Sequence, residues 1–418
     1  MPPSTLPNPD DHSHGMNFAE FVVMMASLTA VHALGIDMML PALGAIGREL
    51  GVSVENHQQL VIAVYVGSFG LGQLFWGPLT DRFGRRAILL GAMTIYAAMS
   101  FVAAHVGSFE MLLAARAVQG LSAASTRVLT TSIIRDCYGG RQMAKVMSLS
   151  FMIFMAVPIL APTFGQLILL VAPWHWIFYV LGGFSLGVAL WAGLRLPETL
   201  DPENRRTISI GSVAAAAREV LGNRYSIGYT LCVSALYGAL LGYLQSFAQI
   251  LEHSFHRPDL FGLSFAASTA FLAVAALVNS RIVERFGMRM ISHAALLCLI
   301  AICMVRLSIV LTGHETLLLF TLLSGVSFFL YALTGPNFGA MAMEPMAHIA
   351  GTAASIQGFV STLIASLFSI VIGQSFNGGT LPLTLGWVIA GVVTLGLVLM
   401  IEGGRLFRPH NRRARQTG

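Results

Sequence analysis

The sequence predicts an all-α membrane protein of about twelve transmembrane helices, and three observations carry that prediction. Of the 418 residues 56% are hydrophobic and only 10% are charged, where a soluble domain holds about a quarter charged residues. Apolar runs such as Phe18 to Leu43 and Thr316 to Met341 are long and continuous. They do not read as the ~10-residue alternating segments of a transmembrane barrel, and helices are the remaining way to satisfy a backbone in lipid. A spanning helix needs about 20 residues, so twelve use roughly 240 of the 418 and leave room for short loops and tails.

The helices are expected near 18–43, 58–80, 86–106, 109–134, 143–170 and 174–196, then 225–251, 260–283, 289–312, 315–341, 347–373 and 381–403. Met1 to Asn17 is polar and acidic and contains prolines, without a basic n-region or a small-residue cleavage site, so the first run reads as a retained span. The longest polar break, Pro197 to Arg224, separates two six-helix units. The expected organisation is an N-terminal tail 1–17, a first bundle 18–196, a linker 197–224, a second bundle 225–403 and a basic tail 404–418. Within the linker, Ser209 to Val220 reads equally well as a short interfacial helix and as plain linker.

Charge placement orients the chain. Nineteen of the 24 Lys and Arg residues fall in the loops and tail that share a side with the termini. Arg48 and Arg257 fall on the other side, and Arg116, Arg127 and Arg306 fall inside apolar runs. The positive-inside rule then puts both termini in the cytoplasm. The net charge of +5 is a topology signal, and no basic-aromatic motif points to nucleic acid. Cys137, Cys232, Cys298 and Cys303 form neither a CxxC pair nor a disulfide framework and read as packing residues. No HExxH or other metal cluster, no paired acid-base constellation and no GxxxxGK[ST] loop occurs, so neither an enzyme, a metal site nor ATP use is expected.

Between the second and third spans stands GPLTDRFGRR (Gly77 to Arg86), and between the eighth and ninth stands SRIVERFGMR (Ser280 to Arg289), offset by 203 residues. The repeat aligns Asp81 with Glu284, Gly84 with Gly287 and Arg86 with Arg289. A duplicated six-helix unit is a signature of secondary transporters, whose sites lie between the repeats near mid-membrane.

With these motifs the chain resembles, over nearly its whole length, the major facilitator superfamily. Within it the chain is most similar to the twelve-span drug:proton antiporters of the bicyclomycin- and chloramphenicol-resistance type. Gly77, Asp81, Arg82, Gly84, Arg85 and Arg86 match the superfamily's loop signature. ARAVQG (Ala115 to Gly120) is similar to the fourth-span motif, whose arginine, here Arg116, is implicated in proton coupling. GIDMMLPAL (Gly35 to Leu43) resembles the acidic first-span motif. PILAPTFGQ (Pro158 to Gln166) resembles the fifth-span antiporter motif, keeping Pro158, Pro162 and Gly165 but carrying Ala161 and Gln166 where glycines are typical. WHWIF (Trp174 to Phe178), LPET (Leu196 to Thr199), GPN (Gly335 to Asn337) and HIAGTAAS (His348 to Ser355) also look like this group. The resemblance implies the major facilitator fold, two pseudo-symmetric six-helix bundles, in the inner membrane of a bacterium.

Asp37 is the one acidic residue well inside an apolar run. A carboxylate at that depth costs at least ~2.5 kcal/mol and so needs a proton, a partner or water. It is expected to carry the proton, with substrate or Arg116 competing for its charged form; the alternative is a static ion pair tying the first and fourth helices. Arg116 fits either coupling or the satisfaction of backbone carbonyls. Arg127, about 16 Å nearer the cytoplasm at 1.5 Å per residue, either meets an anionic substrate or snorkels. His32 fits a proton relay or a packing role. Arg306 has no acidic partner that the sequence identifies and reads as peripheral.

Tyr65 and Gln73, Tyr237 and Gln245, and Phe328, Phe329, Tyr331 and Asn337 offer aromatic faces with a few polar handles, as a largely apolar pocket requires. The binding set is therefore expected to be His32, Asp37, Tyr65, Arg127, Tyr237, Gln245, Phe329 and Asn337. The Gly77–Arg86 loop reads as a gate, with Asp81 facing the positive N-terminus of the eleventh helix. The function expected is a cofactor-free, proton-driven exporter of small lipophilic or drug-like compounds, working as a monomer in the bilayer. The alternatives are an exporter of a sugar, dipeptide or siderophore, and an uncoupled facilitator.

Overall fold

The apolar runs become helices because a chain in hydrocarbon must pair every N–H and C=O within itself. The computed structural model describes residues 16–138, 140–154, 156–200 and 210–407. Most of the expected N-terminal tail, the linker stretch with Arg205 and Arg206, and the basic tail from Arg408 lie outside the described residues. The helices are α1 (Phe18–Asp37), α2 (Leu43–Glu49), α3 (Leu60–Phe83), α4 (Arg85–Ala103), α5 (Phe109–Cys137), α6 (Gly140–Phe154), α7 (Ala156–Val171) and α8 (His175–Arg195). They continue with α9 (Ile210–Gly222), α10 (Arg224–Gln249), α11 (Phe261–Phe286), α12 (Met288–Leu311), α13 (Leu317–Met343), α14 (Ala350–Gln374) and α15 (Leu381–Ile401). No strand occurs among the described residues. Ten helical segments there are long and apolar enough to cross a membrane.

Helix starts follow local chemistry. Asn17 Oδ1 accepts the Glu20 N–H at 2.7 Å, Ser108 Oγ accepts that of Met111 at 3.2 Å, and Asn223 Oδ1 accepts those of Tyr225 and Ser226. Each supplies an acceptor that the first helical turn lacks. Gly84, at φ 96°, and Gly287, at φ 79°, sit at matching points of the two repeated loops. Both adopt the positive φ that glycine tolerates and let one helix stop and the next begin within a residue.

The first span departs from the expected continuous helix over 18–43. α1 stops at Asp37, a 3-10 turn covers Leu40–Ala42, and α2 follows. Pro41 is the physical reason: it has no N–H to offer the carbonyl of Asp37, four residues earlier, and its ring crowds that carbonyl. The Met39 N–H turns instead to the Ile36 carbonyl at 3.2 Å, which leaves the Gly35 carbonyl without its usual intrahelical donor. In the linker, α9 forms where a helix and plain linker were both open, burying Ala216 and Val220 against Met346, Ala353 and Ile356.

α1 packs on α5, α6, α7 and α8; α3 and α4 pack on α5, and α4 on α8. Later in the chain α10 packs on α13, α14 and α15, α11 on α13, and α12 on α13 and α15. The two sets meet chiefly where α3 lies on α14 and α7 on α11. Hydrogen bonds across this boundary lie at the end away from the Gly77–Arg86 loop and in the middle. Asn56 Nδ2 donates to the carbonyls of Gln374 and Phe376 at 3.1 and 2.9 Å, and Gln59 Nε2 donates to Gln249 Oε1. Ser366 Oγ donates to the Ala63 carbonyl at 3.0 Å and Gln73 Nε2 to Thr362 Oγ1 at 3.2 Å. On the loop side of Gln73, no hydrogen bond or ion pair among the described residues joins the two sets.

Candidate functional site

The break in α1 creates the site. Its freed Gly35 carbonyl accepts a hydrogen bond from Arg116 Nη2 on α5 at 2.7 Å, while Arg116 Nε donates to the Val61 carbonyl of α3 at 3.1 Å. Nη1 donates to Gln119 Oε1 at 3.0 Å, and the guanidinium carbon lies 4.1 Å from the centre of the Tyr65 ring. Arg116 thus ties three helices together through backbone oxygens and places its charge at a helix C-terminus, where the dipole favours a cation. A Cβ on Gly35 would come within 2.7 and 2.8 Å of the Tyr65 and Tyr96 hydroxyls, so only glycine lets those groups converge there.

Asp37 ends α1 beside this knot. It is 4% exposed and makes no side-chain hydrogen bond or ion pair among the described residues. Arg116 bonds two backbone carbonyls and the Gln119 side chain, and no hydrogen bond or ion pair joins it to Asp37 among the described residues. From the other side α7 closes on the break: a Cβ on Gly165 would collide with the Met38 carbonyl and lie 3.1 Å from Pro41 Cγ. Gly165 and Pro162 are both buried. Pro158 falls in the first turn of α7, and its side chain lies outside the described residues.

A second layer lies closer to the loop end. His32 stacks on Phe69 with ring centres 3.6 Å apart and on Tyr65 at 5.6 Å, and its Nδ1 is buried without a partner. Arg127 lies within electrostatic range of His32, of Tyr237 on α10 and of Tyr331 on α13, and Asp37 lies within that range of Tyr237. His32, Asp37, Tyr65, Arg116, Arg127 and Tyr237 therefore form one neighbourhood drawn from α1, α3, α5 and α10.

Three expected lining residues have other engagements. Gln245 Nε2 donates to Ser369 Oγ at 3.0 Å, near the seal away from the loop end. Asn337 Nδ2 donates to Asn279 Oδ1 of α11 at 2.9 Å, and Phe329 packs against a cluster built from α11, α12 and α13. On α13 it is Tyr331 that reaches the central layer. Sequence reasoning missed Tyr96, which carries no signal of its own, and Gln119, which the one-turn spacing from Arg116 would have revealed. Gln119 in turn donates to Ser100 Oγ at 2.6 Å.

The Gly77–Arg86 loop is a network. Arg85, whose side chain is nearly enclosed, bonds Asp81 at 2.5 Å, Asp136 at 3.0 Å and Thr80 at 2.8 Å. Glu198 accepts the backbone N–H groups of Arg85 and Arg86 at 2.7 and 3.2 Å, capping α4. Arg86 Nη2 donates to the Gly193 carbonyl, and Arg82 lies over the Phe83 ring. Asp81, expected to face the start of α14, takes its hydrogen bond here from Arg85; from the α14 side the approach to this loop is Ser355 Oγ, 3.7 Å from where a Gly77 Cβ would stand. Arg306, whose acidic partner the sequence does not identify and which reads there as peripheral, is buried and pairs with Glu315 at 2.9 Å.

Comparison with known proteins bears on this arrangement. The family model described as Major Facilitator Superfamily matches residues 25–369. The bicyclomycin resistance protein homolog of Haemophilus influenzae is 30% identical over 360 residues, covering 85% of this chain and 89% of its own. Multidrug resistance protein D of Escherichia coli is 28% identical over 392 residues, covering 88% and 93%. The crystal structure of a D-xylose-proton symporter shares the fold with a TM-score of 0.70 at 14% identity, over 93% of this chain and 98% of the other. With ten apolar membrane-length helical segments among the described residues and a family match over most of its length, the chain belongs to the Major Facilitator Superfamily, among relatives named for drug resistance, and is a multi-pass membrane transporter rather than an enzyme.

Proposed function

We propose that this protein is a proton-driven exporter of small lipophilic or drug-like compounds in the bacterial inner membrane, with Asp37 as the proton carrier. The observation that carries the reading is the buried, unpartnered carboxylate at the broken end of α1. A charge at that depth costs at least ~2.5 kcal/mol, so a proton that enters and leaves with each cycle answers the cost without a fixed partner. Arg116 holds the break in shape through the Gly35 carbonyl, so that rocking of the helices changes what Asp37 faces. One proton moving inward at 100 mV supplies about 2.3 kcal/mol, and no cofactor is required.

The same reading has twelve crossings in two six-helix bundles, both termini in the cytoplasm and a monomer as the working unit. α5 and the α6–α7 stretch supply the two crossings beyond the ten apolar helices. α5 falls short on hydropathy because it carries Arg116, Gln119, Ser122, Ser125 and Thr126 as a buried polar face, which is the face a transport site needs. The same reading takes this conformation as cytoplasm-facing, because no hydrogen bond among the described residues joins the halves on the loop side while the Asn56, Gln59, Gln249 and Gln374 amides close the other end.

The test is reconstitution in liposomes containing a pH-sensitive dye, with an imposed proton gradient and chloramphenicol-, quinolone- and cation-type compounds added to wild type and Asp37→Asn. Substrate-induced proton movement in wild type and its loss in the variant is the expected result. Substrate flux without proton movement, unchanged by the substitution, would leave a facilitator; no response to any drug would leave an exporter of a physiological solute.

A further inference from the structure

Three arginines lie at membrane depth, and two of them are answered. Arg116 spends its donors on the carbonyls of Gly35 and Val61 and on Gln119. Arg306 is paired with Glu315 and bonded to Ser324 Oγ. Arg127 has no hydrogen-bond acceptor and no carboxylate partner among the described residues, and it is exposed although it lies in the middle of a membrane-length helix.

Its position is specific. Eleven residues separate it from Arg116, three turns of α5, which puts both side chains on nearly the same face. Arg116 uses that face to reach α1 and α3, so Arg127 looks into the same side of the bundle at a lower level. His32, Arg127, Tyr237 and Tyr331 lie ten to fourteen residues from the loop-end termini of α1, α5, α10 and α13, about 15–21 Å along each helix at 1.5 Å per residue. The four groups occupy one level, two from each half, on the side where no hydrogen bond joins the halves. His32, Tyr237 and Tyr331 lie within electrostatic range of Arg127, while the carboxylates of Asp37 and Glu315 lie nearer the opposite end. A guanidinium offers five donors in a planar fork that fits a carboxylate with two parallel bonds.

We propose that Arg127 is the docking point for an anionic group, a carboxylate on a drug-like substrate whose aromatic or apolar body rests between Tyr237 and Tyr331. This rests on the exporter reading above and narrows its substrate class. The tyrosines from the second half close on the ligand from the side facing Arg127, so the substrate bridges the two halves. Export of such an anion against one inward proton moves two charges across the membrane per cycle, where a neutral drug moves one. Membrane potential therefore drives a carboxylate substrate more steeply than a neutral one.

Equilibrium binding to the purified full-length protein tests this without any proton gradient, so it can succeed or fail independently of Asp37. The probes are nalidixic acid, an aromatic carboxylate, and its carboxamide, with wild type, Arg127→Gln and Arg127→Lys compared in the same detergent. Wild type is expected to bind the acid at least ten-fold tighter than the amide. Arg127→Gln brings that ratio close to one, and Arg127→Lys, which keeps the charge but not the fork, holds an intermediate ratio, which also shows that the site has folded. Equal binding of acid and amide by wild type, no binding of either, or a ratio unchanged in Arg127→Gln overturns the proposal. If the ratio collapses as expected while Asp37→Asn still couples protons in liposomes, the anion site stands and the proton-carrier reading falls.

Discussion

In the second half of the chain, Arg306 on α12 and Glu315 before α13 meet at 2.9 Å with side chains only 3% and 7% exposed, and Thr380 donates to the same carboxylate. In the first half, Asp37 and Arg116 are just as buried, yet the arginine bonds backbone carbonyls and the acid bonds nothing among the described residues. The difference separates two uses of charge in a membrane. A closed pair holds helices together and has no reason to change, whereas a held cation beside an unclaimed acid leaves a group free to respond. Nothing in the composition of the two halves distinguishes these arrangements, and only the geometry does.

The sharpest way to break that comparison is to remove one member of the closed pair. Arg306→Met leaves Glu315 buried and uncompensated, for which about 3–5 kcal/mol of destabilisation is expected. Thermal unfolding in detergent would read it as the largest drop in Tm of any variant here. Adding Glu315→Gln to the same chain should recover most of the loss, because no buried charge then remains alone. If the single substitution changes Tm little, the pair is open to water and the contrast with Asp37 disappears.

The next effect comes from the wall of the open site. Gly165→Val pushes a branched side chain against the Met38 carbonyl and Pro41, where even one Cβ does not fit. Overpacking of this kind costs about 1–3 kcal/mol, and here it also displaces the break that presents Asp37. Substrate-induced proton movement should therefore fall further than the loss of folded protein accounts for. Stability lost with coupling per folded molecule intact would show that α7 only packs there.

How much of this was legible in the sequence depends on the distance over which the cause acts. Apolar runs specify helices because each helix satisfies its own backbone, and the loop repeat was readable because the motif is short and local. The end of α1 was readable in principle from Pro41, four residues after Asp37, but hydropathy alone carried the expected span on to Leu43. The acceptors of Arg116 were not readable, since the free Gly35 carbonyl exists only once the helix has broken and α5 has packed beside it. Glu315 stands just before an apolar run, and nothing in the local sequence links it to Arg306 nine residues earlier until α12 and α13 pack together. Composition offers both Phe329 and Tyr331 on α13, and only the packed helix tells them apart, placing Phe329 against the α11–α12 side.

A smaller difference separates the two repeated loops. Glu198 caps α4 through two backbone N–H groups, whereas its counterpart near the end of the second half, Glu402, takes its bonds from the side chains of Arg289 at 2.9 Å and Tyr229 at 2.6 Å. Glu198→Ala should then cost about 1 kcal/mol, the ordinary value of a helix cap, and be seen as a modest Tm shift. A loss as large as that of Arg306→Met would mean that Glu198 also holds the Arg85–Asp136 network, making the first loop the stiffer of the two.

The smallest expected effect on stability is the most informative about mechanism. Asp37→Asn keeps the shape and removes the charge, and since Asp37 has no bonded partner among the described residues to lose, the Tm of the variant should stay close to that of wild type. A static ion pair predicts the reverse: loss of the acid would leave Arg116 unpaired in the interior and destabilise by several kcal/mol. Arg116, however, already spends its donors on Gly35, Val61 and Gln119 and keeps them in the variant. A variant as stable as wild type that no longer moves protons in response to substrate would show that Asp37 is retained for the cycle and not for the fold. A clear drop in Tm would instead make the first half resemble the second, with both acids serving as fixed anchors.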